Sequence, residues 1–291
     1  MVASRLTLTE FFHCVYLKHH IWLKSNTIGQ YTVTLRLFDA WHGTAVAVEN
    51  LSVDLILGFL RSRLQHSGSR TVNNKRAAIL TLWRFAYRKG YCKTPVPDSQ
   101  DIPKLPETKQ LPTAWSIPEF SRLLDACSSA RCLEDWDART WRALLLVSFD
   151  TSHRLGALLS ARRADLSSLG FLTIRGEHTK QGRDVSHKLH VDTIAALAEL
   201  PEHRLLFPWP LSITSIRFYY KEILRVAGLP CGRRDLFHRL RRTSATHLAV
   251  VAGIAAAEQH LDHSTPGLAQ KSYIDPRFLQ TIIASDLMPR P

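Results

Sequence analysis

The chain has 291 residues, enough for about two ordinary domains, since a domain usually takes ~100 to 200 residues. Its 38 Lys and Arg residues outnumber its 25 Asp and Glu residues, which gives a formal net charge of +13 with neutral histidines. Such a positive excess favours an anionic partner, and nucleic acid is the first candidate. A solvated basic surface without a partner is the alternative.

Cysteine spacing and hydropathy exclude several other classes. The five cysteines form no CxxC pair and are odd in number, which indicates neither a zinc module nor a complete disulfide framework. The stretch from Met1 to Thr7 has no apolar core of signal-peptide length, and no later run approaches the ~20 apolar residues of a membrane span. We therefore expect a cytoplasmic protein, associated with the nucleoid if prokaryotic, with free thiols, no membrane partner, no metal and no other cofactor.

Residues 6–91 have a helical pattern with polar caps between apolar periods. A cap at Ser25 predicts a helix to Trp41, and Ser52 can cap a second helix that continues to Leu64. These residues predict a helical N-terminal domain.

A third predicted helix, roughly from Thr71 to Arg88, alternates cations with apolar side chains. One face can pack while the other meets phosphate, although an ordinary amphipathic helix with a charged outer face would show the same pattern. The predicted DNA-binding cations of this helix are Lys75, Arg76 and Arg84.

A proline-rich stretch then separates the two domains. Five prolines lie between Cys92 and Thr113, and proline denies a helix its backbone donors, so this stretch reads as an extended linker. Ser116 and Glu119 form a capping-box pattern that opens the first helix of the second domain. The predicted division is a helical domain over 1–93, a linker over 94–111 and a second domain over 112–291.

The second domain mixes helices with one short ribbon. A helix of buried type runs from Ala138 to Phe149, and Arg154 follows its end. Two segments of strand character, at 171–175 and 184–190, can form a small antiparallel sheet with Lys180 near the turn. Together with further helices at 191–200 and 215–227, the pattern predicts a mostly α fold of the α+β kind.

The richest stretch for chemistry begins at Phe237. His238 and Arg241 are three residues apart and share a helix face, so both can reach one ligand. Arginine presents a planar fork of donors matched to phosphate oxygens, and histidine can move a proton near neutral pH. Tyr273, further on, carries an oxygen that can attack phosphorus.

A metal-free transfer at a DNA phosphate needs several groups in fixed roles. Arg154 and Arg241 can stabilise the charge on the non-bridging oxygens, and Tyr273 can form an ester that keeps the energy of the broken bond. Lys180 can protonate the departing 5′ hydroxyl, while His238 can act as general base or phosphate donor. His263 can hydrogen-bond the same phosphate; with His260 it could instead be half of a metal site, and Tyr273 could instead be a packing residue.

In this order the residues resemble the signature of the tyrosine recombinase (phage integrase) family: Arg, Lys, His-x-x-Arg, His or Trp, and Tyr. The matching positions are Arg154, Lys180, His238, Arg241, His263 and Tyr273. The resemblance implies that 1–93 is a SAM-like core-binding domain and 112–291 a catalytic domain, which together form a clamp around DNA. It further implies conservative site-specific recombination, with strand exchange through a Holliday junction in a homotetramer on double-stranded recombination sites. It also implies a backbone-binding rim, for which the candidates are Arg233, Arg234, Arg239 and Arg242.

The sequence departs from the family pattern at four places. Ser152 and Asp262 stand where the family usually has glycine, and Ala157 stands where it has a glutamate that supports Arg154. Tyr273 lies ten residues after the second histidine, one more than the resemblance leads us to expect. Asp262 could raise the proton affinity of the neighbouring imidazole or repel a DNA phosphate.

Two rival functions share the same residues. A type IB topoisomerase uses the same chemistry without exchanging partners, and an inactive relative would bind DNA without forming a covalent adduct. The amphipathic stretch 277–288 can dock on a neighbouring protomer, as segments of this kind do in the family, or pack on its own domain.

Overall fold

The computed structural model describes residues 6–131, 133, 136–262 and 267–279. The chain divides into two compact units between Lys109 and Gln110. Within the described ranges, no helix combines the length and the apolar character needed to span a bilayer.

The N-terminal unit is helical, as predicted. Its helices are α1 (Leu8–Phe11), α2 (Leu17–His19), α3 (Ser25–His42), α4 (Val53–Leu64) and α5 (Ser69–Arg88). A π-helical turn joins α1 to α2, and α3 ends where Gly43 adopts a left-handed conformation. The predicted cap of α4 is confirmed, because the Ser52 hydroxyl accepts a hydrogen bond from the Leu55 amide.

Helix α5 supplies much of the core of this unit. Val72, Ile79 and Trp83 on this helix are fully buried, together with Phe38 from α3 and Phe59 from α4. The rings of Phe38 and Phe59 meet edge to face with centroids 5.0 Å apart. Each such side chain contributes roughly 1.5 to 3 kcal/mol through burial, so α5 contributes strongly to the stability of this unit.

The proline-rich segment after α5 is extended, and much of it packs on that helix. Ile102 is fully buried in the N-terminal core, and its carbonyl accepts a hydrogen bond of 2.7 Å from Nε of Arg76. The indole of Trp83 donates to the carbonyl of Thr94 at 3.0 Å. The backbone carbonyls of this proline-rich segment have no partners within a helix, and side chains of α5 provide hydrogen bonds to them instead.

The second unit contains seven helices and two strands within the described residues. The helices are α6 (Ile117–Asp125), α7 (Ala138–Thr151), α8 (Leu155–Leu158), α9 (Val191–Ala198), α10 (Ile213–Val226), α11 (Phe237–His260) and α12 (Leu268–Ser272). The strands β1 (Phe171–Ile174) and β2 (Val185–Lys188) pair antiparallel. The predicted mostly α fold with a small antiparallel sheet is confirmed, and so is the capping box of Ser116 and Glu119.

Helix α7 lies at the centre of this unit and packs against both α9 and α11. Trp141 and Leu144 of α7 are fully buried, as are Tyr220 of α10 and Leu240 of α11. Helix α11 leaves helical geometry at Gly253, where φ is 86°. Because α7 and α11 are in contact, residues at the C-terminal end of α7 come close to residues near the start of α11.

Asn73 provides a test of the packed segment. Its side-chain amide donates to the Leu105 carbonyl and the Glu107 carboxylate and accepts from the Leu105 amide, at 2.8 to 3.0 Å. We expect Asn73→Ala to lower the free energy of unfolding by about 1 to 3 kcal/mol, because buried polar groups of the segment lose their partner. Urea denaturation would measure the loss, and limited proteolysis should show faster cleavage within 94–109.

Asn74→Ala is the matched control, since Asn74 is exposed on the same helix. Equal stability of the two variants would contradict this role for Asn73.

Candidate functional site

The site is organised around Arg241, on the first turns of α11. This side chain is only 3% exposed, and its two terminal nitrogens donate to the carbonyls of Ser152 and Leu261. Burial lowers the pKa of Arg241 to about 10, against the opposing influence of Tyr273, so the guanidinium stays charged at neutral pH. Arg241 therefore brings a fixed positive charge to the place where α7 ends and α11 finishes.

Tyr273 lies directly against this charge. The Arg241 guanidinium carbon is 5.1 Å from the centroid of the Tyr273 ring, and the ring of His238 meets the same tyrosine edge-on at 5.2 Å. Tyr273 is 8% exposed. The structure thus brings together three of the predicted catalytic residues, and the additional residue before Tyr273 does not separate the tyrosine from them.

The backbone around Tyr273 is held by a buried acid two residues later. The Tyr273 carbonyl accepts from the Thr246 hydroxyl at 3.3 Å, and that hydroxyl accepts from the Asp275 amide at 2.9 Å. The carboxylate of Asp275 is fully buried and accepts from the amide of Ala114 at 2.9 Å. Burial raises the pKa of Asp275, but hydrogen bonds from Arg277 and Ala114 outweigh it and lower that pKa overall. Sequence inspection missed Asp275; its place directly after the Tyr-Ile pair is the only signal of it.

His238 is set up to be neutral before any ligand binds. Desolvation, and then the charges of Arg242, Arg241 and Arg154, lower the pKa of His238 to about 4. The neutral imidazole can accept a proton, but the nearby arginines make it a weak base in the free protein. A phosphate bound to those arginines would raise its proton affinity, as the predicted general base requires.

Arg154 and Lys180 line the same small pocket as Arg241. Arg154 is exposed at the N-terminal end of α8, and Lys180 is exposed in the loop between β1 and β2. The pocket is also bordered by Ala157, whose small side chain leaves room where the family resemblance implies a glutamate, and by Asp262. Arg154, Lys180 and Arg241 therefore line one pocket, and His238 contacts Tyr273 beside it. Five of the six predicted catalytic residues are accounted for in this way. The sixth, His263, lies outside the described residues.

The two positions where glycine was expected share one backbone property. Ser152 and Asp262 are the two non-glycine residues with positive φ in the described chain, at 53° and 52°. A residue with a Cβ atom is strained in this region, at a cost on the order of 1 kcal/mol or more, and glycine avoids that cost. Serine and aspartate are thus held by the fold in the conformation that glycine adopts freely.

Each of these two side chains makes a bond that glycine could not make. The Ser152 hydroxyl donates to the Ser244 hydroxyl at 2.7 Å inside the domain. The carboxylate of Asp262 is paired with Arg183, which donates to it from Nε at 2.8 Å and also from a terminal nitrogen. This pairing answers the concern that Asp262 would confront DNA with an uncompensated charge.

A row of histidines, which sequence inspection did not find, begins at His153 in the wall of the pocket. The rings of His153 and His187 are 4.8 Å apart, and the rings of His187 and His260 are also 4.8 Å apart, each pair edge to face. Desolvation is the main cause that lowers the pKa of His153 to about 3 and that of His187 to about 4. The charge of Arg241 lowers both pKa values further, while Asp262 opposes the shift at His187. Within the described ranges, no three His, Cys, Asp or Glu side chains are grouped so as to hold a metal ion.

The predicted DNA-binding cations divide into exposed and structural ones. Arg84 and Arg233 are exposed. Arg234 is exposed as well, and it donates to the carbonyl of Leu111 at 2.8 Å. Arg76 binds the segment after α5, as described, and Lys75 is buried on the same helix.

Arg239 lies inside the domain and not on its rim. Its guanidinium stacks 3.3 Å from the ring centroid of Trp115, pairs with Asp235 at 2.7 Å and donates to the Ala114 carbonyl at 3.0 Å. Arg242 is half-buried, and burial is the main cause that lowers its pKa. From sequence alone, these arginines could not be told from the exposed Arg233.

Comparisons with known proteins agree with this architecture. Residues 10–90 match the family model of the phage integrase N-terminal SAM-like domain. No curated protein matches the chain in sequence. Among solved structures, the chain is similar to a lambda integrase tetramer bound to a Holliday junction, with a TM-score of 0.73 and 18% identity over 94% of this chain and 79% of that one.

Two further structures are similar over most of their length. The Tn1549 transposon integrase in complex with circular intermediate DNA gives a TM-score of 0.70 at 12% identity, over 98% of this chain and 100% of that one. The XerH site-specific recombinase in a post-cleavage complex gives 0.67 at 19% identity, over 90% of this chain and 79% of that one. The predicted resemblance to the tyrosine recombinases and the predicted fold class are confirmed.

The left-handed backbone at Ser152 can be tested by two substitutions. Ser152→Ala keeps the strained backbone and removes the bond to Ser244, so we expect it to lower the free energy of unfolding by about 1 to 2 kcal/mol. Ser152→Gly removes the same bond but also the strain, and should be roughly 1 kcal/mol more stable than the alanine variant. Chemical denaturation would compare them, and equal losses would contradict the strain argument.

The buried histidines predict a pH dependence of stability. Since the pKa values of His153 and His187 in the folded protein, about 3 and about 4, lie below the unfolded value of ~6.5, the unfolded chain binds more protons in that window. Stability is therefore complete above pH ~6.5 and falls as the pH drops towards 4, by up to about 1.4 kcal/mol per pH unit for each histidine.

Thermal unfolding between about pH 7 and pH 5 would measure this slope. His187→Gln should make the slope shallower, while the exposed His190→Gln should leave it unchanged. A wild-type protein equally stable across this range would refute the expectation.

Proposed function

We propose that this chain, which carries the N-terminal domain of the phage integrases and the fold of the tyrosine recombinases, is a site-specific DNA recombinase. In this proposal it cuts and rejoins DNA through a 3′-phosphotyrosyl intermediate and exchanges strands through a Holliday junction. The observation that carries the proposal is the contact of Tyr273 with Arg241 and His238, beside a pocket lined by Arg154 and Lys180. A nucleophile, a base, two arginines and a proton donor are the groups that this transfer requires.

The proposed reaction balances without an external energy source. The phenol oxygen of Tyr273 forms a bond to phosphorus while its proton passes to neutral His238, and the bond from phosphorus to the 5′ oxygen breaks. Lys180 gives a proton to that oxygen, so the 5′ hydroxyl leaves uncharged. A 5′ hydroxyl of the partner duplex then attacks the phosphotyrosyl ester and gives its proton to Lys180. The bond from phosphorus to the Tyr273 oxygen breaks, and His238 returns the proton to that oxygen.

The arginines supply the electrostatic part of the proposal. Arg241 is buried and held by two backbone carbonyls, so its charge is in place before the reaction and needs little rearrangement. Arg154 lines the same pocket from the start of α8. Together they would hold the non-bridging oxygens, on which negative charge grows as Tyr273 attacks.

Double-stranded DNA with specific recombination sites is the proposed partner. The formal charge of +13 supports a polyanionic ligand, and exposed cations such as Arg84 and Arg233 are available for its phosphates. The likeness to a lambda integrase tetramer on a Holliday junction supports a homotetramer on DNA. It remains a prediction that the protein forms a clamp around DNA and that His263 hydrogen-bonds the phosphate. It is also a prediction that the protein is cytoplasmic and belongs to a mobile element.

The nucleophile is tested by trapping the covalent adduct. We expect the wild-type protein to form a protein–DNA adduct with a nicked suicide duplex that carries the sequence flanking its gene, and Tyr273→Phe to form none. Tyr87→Phe is the matched control, because Tyr87 is an exposed tyrosine of the N-terminal unit. Arg241→Lys should lower the cleavage rate by about 10²- to 10³-fold, since one terminal donor and the planar fork are lost.

The products separate the proposal from its rivals. Joined strands from two duplexes support recombination, whereas relaxation of supercoils by an isolated monomer indicates a topoisomerase. Salt-dependent DNA binding with no adduct indicates an inactive relative, and an adduct that persists in Tyr273→Phe overturns the assignment of the nucleophile.

A further inference from the structure

Hydrogen bonds within the loop that carries Lys180 connect its beginning to its end. The Thr179 side chain is buried, and its hydroxyl lies 3.1 Å from the Gly176 carbonyl and 3.0 Å from the Arg183 carbonyl. The same oxygen accepts from the Gly182 amide at 3.1 Å. Gly176 has to be glycine here, because a Cβ atom would lie 2.7 Å from the Gly182 carbonyl oxygen. Lys180 is therefore fixed relative to its immediate neighbours in the loop.

Two side chains of this loop bind Asp262, which lies two residues after the end of α11. The amide of Gln181 donates to the Asp262 carbonyl at 2.6 Å, and Arg183 binds the Asp262 carboxylate. Gln181 is adjacent to Lys180 and Arg183 is three residues beyond it. The carbonyl of Leu261, next to Asp262, receives Arg241. The loop and the buried arginine thus bind two consecutive residues of one segment.

We propose that Asp262 is a positioning residue for Lys180, which holds the loop between β1 and β2 at the pocket before DNA binds. The inference rests on the proposed function, in which Lys180 protonates the leaving oxygen. Glycine at 262 would allow the same left-handed backbone but would offer no carboxylate to Arg183. The negative charge of Asp262 therefore serves the contact with Arg183, which the left-handed backbone by itself does not require.

The geometry of the ion pair supports a holding role. The Asp262 side chain is 11% exposed, while that of Arg183 is 64% exposed. One partner is therefore largely shielded from water, which makes the pair stronger than one between two exposed groups. A loop held in the free protein does not have to be ordered during the reaction, and a group misplaced by about 1 Å can lose ~100-fold in rate.

The test uses the full-length protein and two suicide substrates. One has an ordinary scissile phosphate, and the other has sulfur in place of the bridging 5′ oxygen, so its leaving group needs no proton. We expect Asp262→Asn, which keeps the shape and tolerates positive φ, to cleave the ordinary substrate about 10- to 100-fold more slowly than wild type. With the sulfur substrate, its rate should match that of wild type.

Further variants sharpen this comparison. Lys180→Ala should show the same rescue by sulfur, and Arg183→Gln should resemble Asp262→Asn, whereas Arg183→Lys should retain much of the rate. Asp192→Asn, at an exposed aspartate elsewhere in the same unit, should behave as wild type. Equal slowing of Asp262→Asn on both substrates, or a wild-type rate on both, overturns the positioning role.

Hydrogen exchange distinguishes this inference from the proposed function. A wild-type protein that forms no adduct with either substrate refutes the proposed function and leaves the loop to be measured directly. Without DNA, Asp262→Asn should increase amide exchange within 179–184 by about tenfold or more, because local opening becomes easier. Unchanged exchange there overturns the inference, whatever the activity of the protein.

Discussion

The C-terminal unit depends on the buried guanidinium of Arg241. Arg241 enters the domain from α11 and donates to carbonyls at the end of α7 and after α11, so one side chain satisfies backbone groups of two segments. Tyr273 packs against the same cation. Removal of the charge would leave buried carbonyls without partners and Tyr273, the proposed nucleophile, without its neighbour, which would couple the stability of the site to its proposed chemistry.

Repulsion among the cationic groups at the pocket lowers the stability of the unliganded protein. The charge of Arg154 lowers the pKa of Arg241, and both arginines lower the pKa of His238. Nearby histidines stay neutral because they are buried among these charges. An anion in the pocket would relieve this repulsion, so the cationic residues favour binding of a phosphate group over the unliganded state.

The departures from the family pattern act through the backbone as well as through charge. Ser152 and Asp262 both occupy the left-handed region, and each compensates part of that cost with a bond from its side chain. At Ser152 the bond joins the end of α7 to α11. At Asp262 it joins the end of α11 to the loop of Lys180, so a residue that seems unfavourable in sequence acquires a structural partner.

The sequence by itself determined the helical N-terminal domain, the mostly α fold with one small sheet, and the order of the candidate catalytic residues. Periodicity, caps and motif spacing are local properties, so they are visible in a chain without coordinates. Tertiary structure alone decided that Arg239 is buried beside Trp115 while Arg233 stays exposed, and that Asp262 meets Arg183. It also decided that the histidines at 153, 187 and 260 form one row. These contacts join residues far apart in the chain, and burial depends on how elements pack and not on residue type.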